Sequence, residues 1–140
     1  MLRQIVKVAL ATRNMINKFN LGGISAKIEF LPGKDWFELT NTPGSFDFTE
    51  KTKTESSGVS YEQKLKCNYT RYDRMDDNQV HIWGKSDLFL RLEYNTGEIE
   101  IIGCPDFPTR LDYTFSGGKS SLYKFEFTCN TIYRPFSLLV

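Results

Sequence analysis

The stretch Leu88-Phe89-Leu90-Arg91-Leu92-Glu93-Tyr94, followed by the turn Asn95-Thr96-Gly97, decides the fold predicted for this chain. Its even-numbered residues are apolar and share one face, whereas its odd-numbered residues share the other. A period of two predicts a half-buried β-strand. After the turn, Ile99 and Ile101 alternate with two glutamates, so residues 88–101 are predicted to form an antiparallel hairpin.

Further strands are predicted on both sides of this hairpin. Alternating aromatic and aliphatic side chains, or short apolar runs bounded by turn residues, occur at 26–31, 36–39, 45–50, 59–69, 111–115 and 123–129. Segments 45–50 and 59–69 are predicted to pair. Their connection, residues 51–58, is polar and long for a hairpin turn, so we expect an exposed, mobile loop that serves either as a contact tip or as a plain solvated connection.

Two segments allow alternative interpretations. In residues 3–19, Ile5, Val8, Ala9, Ile16 and Phe19 would form one stripe of a helix, whereas Val6, Val8 and Leu10 would line one side of a strand; the helix is slightly favoured. Residues 70–87 are either a short helix capped by Asp73 or a loop leading to a strand at 80–83.

Size and composition point to one mainly β domain. With 140 residues, 40% of them hydrophobic and 14% aromatic, the chain resembles a soluble globular protein whose flat side chains suit pleated sheets. We predict a single-domain antiparallel β-sandwich or barrel at residues 20–140, with one or two short helices. Residues 1–19 are predicted to be an N-terminal arm or a short helix.

Charge and cysteine content exclude several classes of function. Eighteen basic and seventeen acidic residues give a net charge of +1, which provides no field for gathering nucleic acid. The apolar run at 8–11 is too short for a membrane span or a signal peptide, so no membrane partner is expected. Cys67, Cys104 and Cys129 are widely spaced, and we expect three reduced, mostly buried thiols.

No catalytic, cofactor or metal site is predicted. His81 is the single histidine, and no nucleophile with an orienting carboxylate accompanies it. Glu98 and Glu100 share a strand face but match any solvated sheet, and the Asp76-Asp77 pair lacks the spacing of a calcium loop. The glycines at 116–120 lack the upstream glycine of a phosphate-binding loop. The aromatic and basic cluster at 69–74 is neutralised by neighbouring aspartates.

Several segments together resemble a known group of proteins. The segments are NLGGI at 20–24, TPGSFDFTE at 42–50, SGVSYEQKL at 57–65, IGCPDFPTRL at 102–111, SGGK at 116–119 and RPF at 134–136. As a pattern of turns and aromatic strands over residues 20–136, this combination is similar to small structural proteins of the tail or neck of tailed phages and prophages of Bacteroidetes, such as the ring proteins of crAss-like phages.

The resemblance implies a non-enzymatic virion component that is assembled in the host cytoplasm. Its expected partners are copies of itself in a ring around the DNA conduit, other tail, neck or portal proteins, and DNA that passes nearby without specific binding. Loop 51–58 and the N-terminal arm are expected to supply much of the contact between subunits. In one arrangement, the arm lies on an adjacent subunit. The alternative function is a carbohydrate- or receptor-binding β-sandwich in which exposed Trp36, Trp83 and several tyrosines form a platform.

Overall fold

The computed structural model describes residues 3–39, 46–70, 74–117 and 122–138. These residues form one α-helix, a 3-10 turn at Arg13–Met15, and a series of strands. The helix is α1 (Arg74–Gly84), and the strands are β1 (Ile5–Thr12), β2 (Ile16–Gly22), β3 (Ser25–Phe30), β4 (Phe37–Glu38), β5 (Asp47–Glu55), β6 (Gly58–Thr70), β7 (Leu88–Tyr94), β8 (Ile99–Ile102), β9 (Arg110–Ser116), β10 (Leu122–Thr131) and β11 (Phe136–Leu138). The predicted mainly β fold is confirmed.

The strands form two sheets that pack face to face. One has seven strands in the order β2-β3-β11-β8-β7-β1-β4, and the other has four in the order β5-β6-β10-β9. Strand pairs are antiparallel except for β3 and β11. The main core contains leucines of β7, aromatic residues of β10 and the α1 residue Trp83. A sandwich with a helix at one side results.

β7 organises the seven-stranded sheet because both of its faces are covered. Leu88, Leu90 and Leu92 point into the main core, as the alternation predicts. Phe89 points the other way, yet it is only 1% exposed. Its ring centroid lies 5.0 Å from that of Phe19 on β2. Because β2 is four positions away from β7 in the sheet, this contact requires the sheet to curl, and the curl encloses a second core around Ile101 and Phe136.

The helix favoured for residues 3–19 is wrong. Residues 5–12 form β1, which lies between β7 and β4, and residues 16–22 form β2, so the arm or short helix expected at 1–19 is part of the sheet from Ile5 onward. The strand alternative holds because Val8 and Leu10 enter the main core opposite Leu92 and Leu90. A register shift between Ile5 and Lys7 leaves Val6 exposed, so the alternation begins only at Val8.

The loop expected at 51–58 is a β-hairpin. β5 continues to Glu55 and β6 begins at Gly58, so the turn itself is Ser56-Ser57. Neither face of the strands is buried there, so both faces carry polar side chains and the sequence shows no alternation of apolar and polar residues. Gly58 has a φ of +130°, a conformation that L side chains rarely adopt, and this permits the tight reversal.

The helical alternative for residues 70–87 is correct, and the strand at 80–83 is wrong. α1 buries Val80 and Trp83 against the main core. Asp76 accepts a hydrogen bond from the Tyr69 hydroxyl at 3.4 Å, and Asp77 accepts one from Tyr123. The two aspartates therefore hold the first turn of α1 to the four-stranded sheet. The expected cap, Asp73, lies outside the described residues.

Replacing Phe89 with alanine tests the double burial of β7. We expect Phe89→Ala to lower the free energy of unfolding by about 3–5 kcal/mol, because the curled sheet cannot collapse fully into the space left by the ring. Urea denaturation followed by circular dichroism measures the change. Ile82→Ala, on the exposed side of α1, is the control and should change it by no more than about 0.5 kcal/mol. Equal effects of the two variants would contradict the curled sheet.

Candidate interaction surface

The residues considered for catalysis do not meet in one site. His81 is exposed on α1, and Asp76 and Asp77 bind tyrosine hydroxyls. Within residues 3–39, 46–70, 74–117 and 122–138, no three His, Cys, Asp or Glu side chains are grouped to hold a metal ion. In the same ranges, no helix is long and apolar enough to cross a membrane.

Glu98 and Glu100 serve in a structural clasp. The Arg3 guanidinium lies 3.1 Å from Glu98 and 2.9 Å from Glu100. It also stacks on the Tyr94 ring, 3.8 Å from the centroid. Tyr94 donates a hydrogen bond to Glu100 at 2.6 Å, and burial together with this bond raises the pKa of the Tyr94 hydroxyl. The two carboxylates are thus occupied in fixing the start of the chain to the β7–β8 hairpin.

Two other groups named in the sequence are described only in part. Tyr69 is buried and stacks on Phe125 with ring centroids 5.3 Å apart, so it is not available to stack on a base. Residues 71–73 and 118–121 lie outside the described part, and so does the Arg74 side chain. Most of the aromatic and basic cluster and most of the glycine-rich turn therefore lie outside the described residues.

The two tryptophans are in different environments. Trp83 is 1% exposed and contacts Tyr69 and Phe125 in the main core, so it cannot contribute to a sugar platform. Trp36 is half-buried against Phe30. It lines a cleft of about 600 Å³ that also contains Lys27, Glu38 and Arg91. Only Trp36 retains the position that the carbohydrate-binding alternative requires.

The three cysteines are free and buried, as expected from the sequence. Burial raises the pKa of Cys67 to about 12 and that of Cys129 to about 11. Burial also raises the pKa of Cys104. These thiols therefore stay protonated near neutral pH and behave as small apolar groups.

The most prominent surface feature is the outer part of the β5–β6 hairpin. β10 pairs with β6 only as far as Thr131 opposite Tyr61. The β5–β6 ladder continues beyond that point, through Thr54 opposite Val59, to its last pair, Glu55 opposite Gly58. At about 3.3 Å per residue, the hairpin projects roughly 10 Å past the sheet. Residues 51–59 are all exposed, so this tip is available for contact.

A polar network fixes the base of the projecting hairpin. Gln63 is buried among apolar neighbours on the core face of β6. Its amide donates hydrogen bonds to Glu50 at 3.0 Å and to the backbone carbonyl of Tyr133 at 3.2 Å. Arg134 donates a hydrogen bond to the same Glu50 at 3.0 Å. The network joins β5, β6 and the segment after β10, so the hairpin rises from a braced base.

Apolar side chains are exposed beside this base. Val59 continues the core face of β6 beyond the core and is exposed, with Tyr61 half-buried next to it on that face. Ile132 and Ile24 lie nearby, around a shallow cleft that also includes Tyr61. Ile24 is 81% exposed. We call Ile24, Tyr61 and Ile132 the hairpin-base patch, and Val59 adds apolar surface on the projecting part of the hairpin; apolar exposure of this kind is typical of contact surfaces.

Comparison with protein-family models, with curated proteins and with solved structures found no match for this chain.

The sequence indicated some of these features and missed others. Gln63 stood out as the single polar residue on an apolar strand face, which was a usable signal. Arg3 carried no signal, because its partners Glu98, Glu100 and Tyr94 are more than ninety residues away.

Gln63→Leu tests the brace under the hairpin. The change keeps the side-chain volume nearly constant but leaves Glu50 and the Tyr133 carbonyl without this donor, so we expect a loss of about 1–3 kcal/mol in the free energy of unfolding. Urea denaturation measures it. Asn68→Ala, at an exposed position of the same strand, is the control and should stay within about 0.5 kcal/mol of the parent. An unchanged Gln63→Leu variant would show that the network contributes nothing.

The buried thiols predict a loss of stability at alkaline pH. In the unfolded chain a cysteine ionises near its ordinary pKa of 9.0, whereas folded Cys67 does so only near 12. Between these values the unfolded state binds fewer protons, so stability falls as pH rises. We expect the urea midpoint to decrease from pH 9 to pH 11, and less steeply in Cys67→Ala. The same dependence of the urea midpoint on pH in both proteins would contradict the raised pKa of Cys67. Tyr94, whose pKa is also raised, contributes equally to each protein and does not affect the comparison.

Proposed function

We propose that this chain is a non-enzymatic structural protein of a tailed-phage virion, part of the tail or the head–tail neck, which assembles as a ring around the DNA conduit. The projecting β5–β6 hairpin is the observation that carries the proposal. A braced, exposed hairpin with apolar residues at its base suits insertion against a neighbouring copy. In a ring, each subunit would insert its hairpin on one side and receive the neighbour's hairpin on the other. The resemblance of residues 20–136 to ring proteins of this kind supports the same function.

The charge distribution is compatible with a conduit. The net charge is +1, and two lysines on the outer face of the hairpin lie near acids: Glu62 is 3.1 Å from Lys53 and 3.6 Å from Lys64. DNA therefore meets no strong field that would hold it by release of counterions. The proposed partners are copies of the chain and adjoining tail, neck or portal proteins, and the proposed location is the virion after assembly in the host cytoplasm.

Residues 1–19 were expected to form an arm that contacts neighbouring subunits, but from Ile5 onward they belong to the sheet. Residues 5–12 are held between β7 and β4, and residues 16–19 pair with β3 as part of β2, so neither segment is a free arm. The hairpin consequently carries the larger share of the proposed contact.

A carbohydrate- or receptor-binding module is the second candidate, and the Trp36 cleft favours it. An aromatic ring beside Lys27, Glu38 and Arg91 combines a stacking surface with hydrogen-bonding groups. The buried position of Trp83 removes one of the two tryptophans from the platform that this function was expected to use. Quenching of tryptophan fluorescence by added glycans would favour this candidate, because only Trp36 is placed to report binding.

Shortening the hairpin tests the ring. Replacing residues 53–60 with Asn-Gly joins Thr52 to Tyr61 through a two-residue turn and removes only the projecting part, since β10 pairing ends at Tyr61. We expect native mass spectrometry to show a closed oligomer for the parent chain and at least tenfold weaker association for the shortened one.

The control for this experiment is Trp36→Ala, which alters the cleft but leaves the hairpin intact, and it should assemble like the parent chain. Circular dichroism and urea denaturation confirm that both variants fold. A shortened variant that assembles normally would contradict the role of the hairpin, and a parent chain that is monomeric at all concentrations, alone and with neck proteins, would contradict the ring.

A further inference from the structure

The four-stranded sheet ends in two strands that run in opposite directions. Each neighbouring pair in β5-β6-β10-β9 is antiparallel, so β5 and β9 point opposite ways. Within the described residues, β5 pairs with no strand besides β6, and β9 pairs with no strand besides β10; Thr109, just before β9, forms an isolated bridge with Leu88, so the free edge begins at Arg110. The next copy's β5, placed beside β9 by a simple rotation, would continue the antiparallel alternation without a break.

The β9 edge lacks the features that normally prevent such pairing. It is seven residues long, and its pairing with β10 runs without a bulge from Ser116 to Arg110. Its only charged residues are Arg110 and Asp112, and Tyr113 and Phe115 are 40% and 45% exposed. Free edges are usually blunted by lysine, proline, bulges or very short strands. β9 has none of these, and it therefore presents a regular template of backbone donors and acceptors.

The edges of the seven-stranded sheet are blunted, in contrast. β4 has only two residues. β2 has a register shift between Ile16 and Lys18. Among the described edges, β9 is therefore the one best suited to assembly, and β5, which carries Lys51 and Lys53, forms the opposite edge of the same sheet.

We infer that β9 of one copy pairs antiparallel with the projecting half of β5 of the next copy, so that the four-stranded sheets join into one continuous ring. This inference rests on the proposed function and names the contact through which the ring closes. The contact is heterologous, because each copy contributes β9 on one side and β5 on the other, and repetition closes a ring when the rotation allows.

Charge selects one register for this pairing. With Arg110 opposite Glu55, Asp112 lies opposite Lys53, which makes two favourable cross-strand pairs. Shifting by two residues in one direction puts Arg110 opposite Lys53, and shifting in the other puts Asp112 opposite Glu55, so each neighbouring register creates a like-charge pair. Arg110 already contacts Asp87 at 2.8 Å and is still exposed, so it remains able to reach a neighbour.

The same register places exposed Tyr113 beside the hairpin of the next copy. Tyr113 comes to lie opposite Thr52, and Thr52 is itself opposite Tyr61. A ring and a β-branched side chain form a favourable cross-strand pair. One apolar face then runs from Tyr113 of one copy to Tyr61 of the next, beside Val59. This explains why the core face of β6 remains apolar beyond the core of its own chain.

A disulfide across the junction tests the inference. In the proposed register Thr114 faces Lys51, and opposed antiparallel residues have Cα atoms about 4.5–5.5 Å apart, within the range of a disulfide. Both positions are exposed, and the native cysteines are buried, so introduced thiols react first. We expect the oxidised Lys51→Cys/Thr114→Cys double variant to give covalent multimers up to the ring size on a non-reducing gel.

Single variants and a shifted pair make the test specific. Neither Lys51→Cys nor Thr114→Cys alone should crosslink, whereas an equal mixture of the two should give dimers. Thr49→Cys/Thr114→Cys, offset by two residues, should crosslink at least tenfold less. Asp112→Lys should weaken assembly at least tenfold, and adding Lys53→Asp should restore it.

The outcomes separate the junction from the function. A ring by native mass spectrometry without crosslinks overturns the junction and leaves the proposed function standing. Crosslinked chains that never close support the junction and overturn the ring. Dimers from Thr114→Cys alone mean that β9 pairs with β9 about a two-fold axis, which overturns the inference.

Discussion

The burial of β7 on both faces is the constraint on which the rest of the structure depends. Its leucines pack into a core shared with Phe125 and Phe127 of the opposing sheet, and each such side chain contributes about 1.5–3 kcal/mol when fully removed from water. Phe89 on the other face requires the far end of the sheet, at Phe19, to curl over it. One strand thereby determines both the sandwich and the curl.

Polar groups then fix the elements that the core leaves at its margins. Asp76 and Asp77 hold α1 through two tyrosine hydroxyls, and Gln63 with Glu50 braces the hairpin. Partial burial makes such bonds costly to break, because each partner would be left without a replacement donor or acceptor. The hairpin is consequently a defined projection, and it is suited to a contact that needs a fixed geometry.

The groups that face solvent follow from which residues the core and these polar contacts already use. Several polar and reactive groups are engaged within the chain: two glutamates bind Arg3, and the thiols are buried. Among the described residues, the β9 edge and the apolar side chains beside the hairpin face solvent. In the proposed junction, backbone donors and acceptors would recognise another strand without any special side chain, while the charges at Arg110, Asp112, Lys53 and Glu55 would choose the register. We therefore propose assembly as the role of this surface.

Much of the fold could be predicted because its hairpins are local. Alternation alone identified β7 with β8, and also β9 and β10, and the β5–β6 pairing was recognised from its inner half. The N-terminal segment was misjudged, since a bulge after Ile5 interrupts the alternation and leaves Val6 exposed. The candidate surface was located at 51–58, but its strands were missed because both of their faces are polar.

The sequence by itself determined much of the local pattern, namely most of the strands from residue 26 onward and the apolar side of each, because a period of two is written in neighbouring residues. Only the tertiary structure decided which strands meet. The contact of Phe19 with Phe89 and the clasp of Arg3 on Glu100 join residues far apart in the chain. The order of the strands, which leaves β5 and β9 at the edges of their sheet, also depends on distant residues. Their pairing depends on packing in three dimensions, for which one sequence carries no local signal.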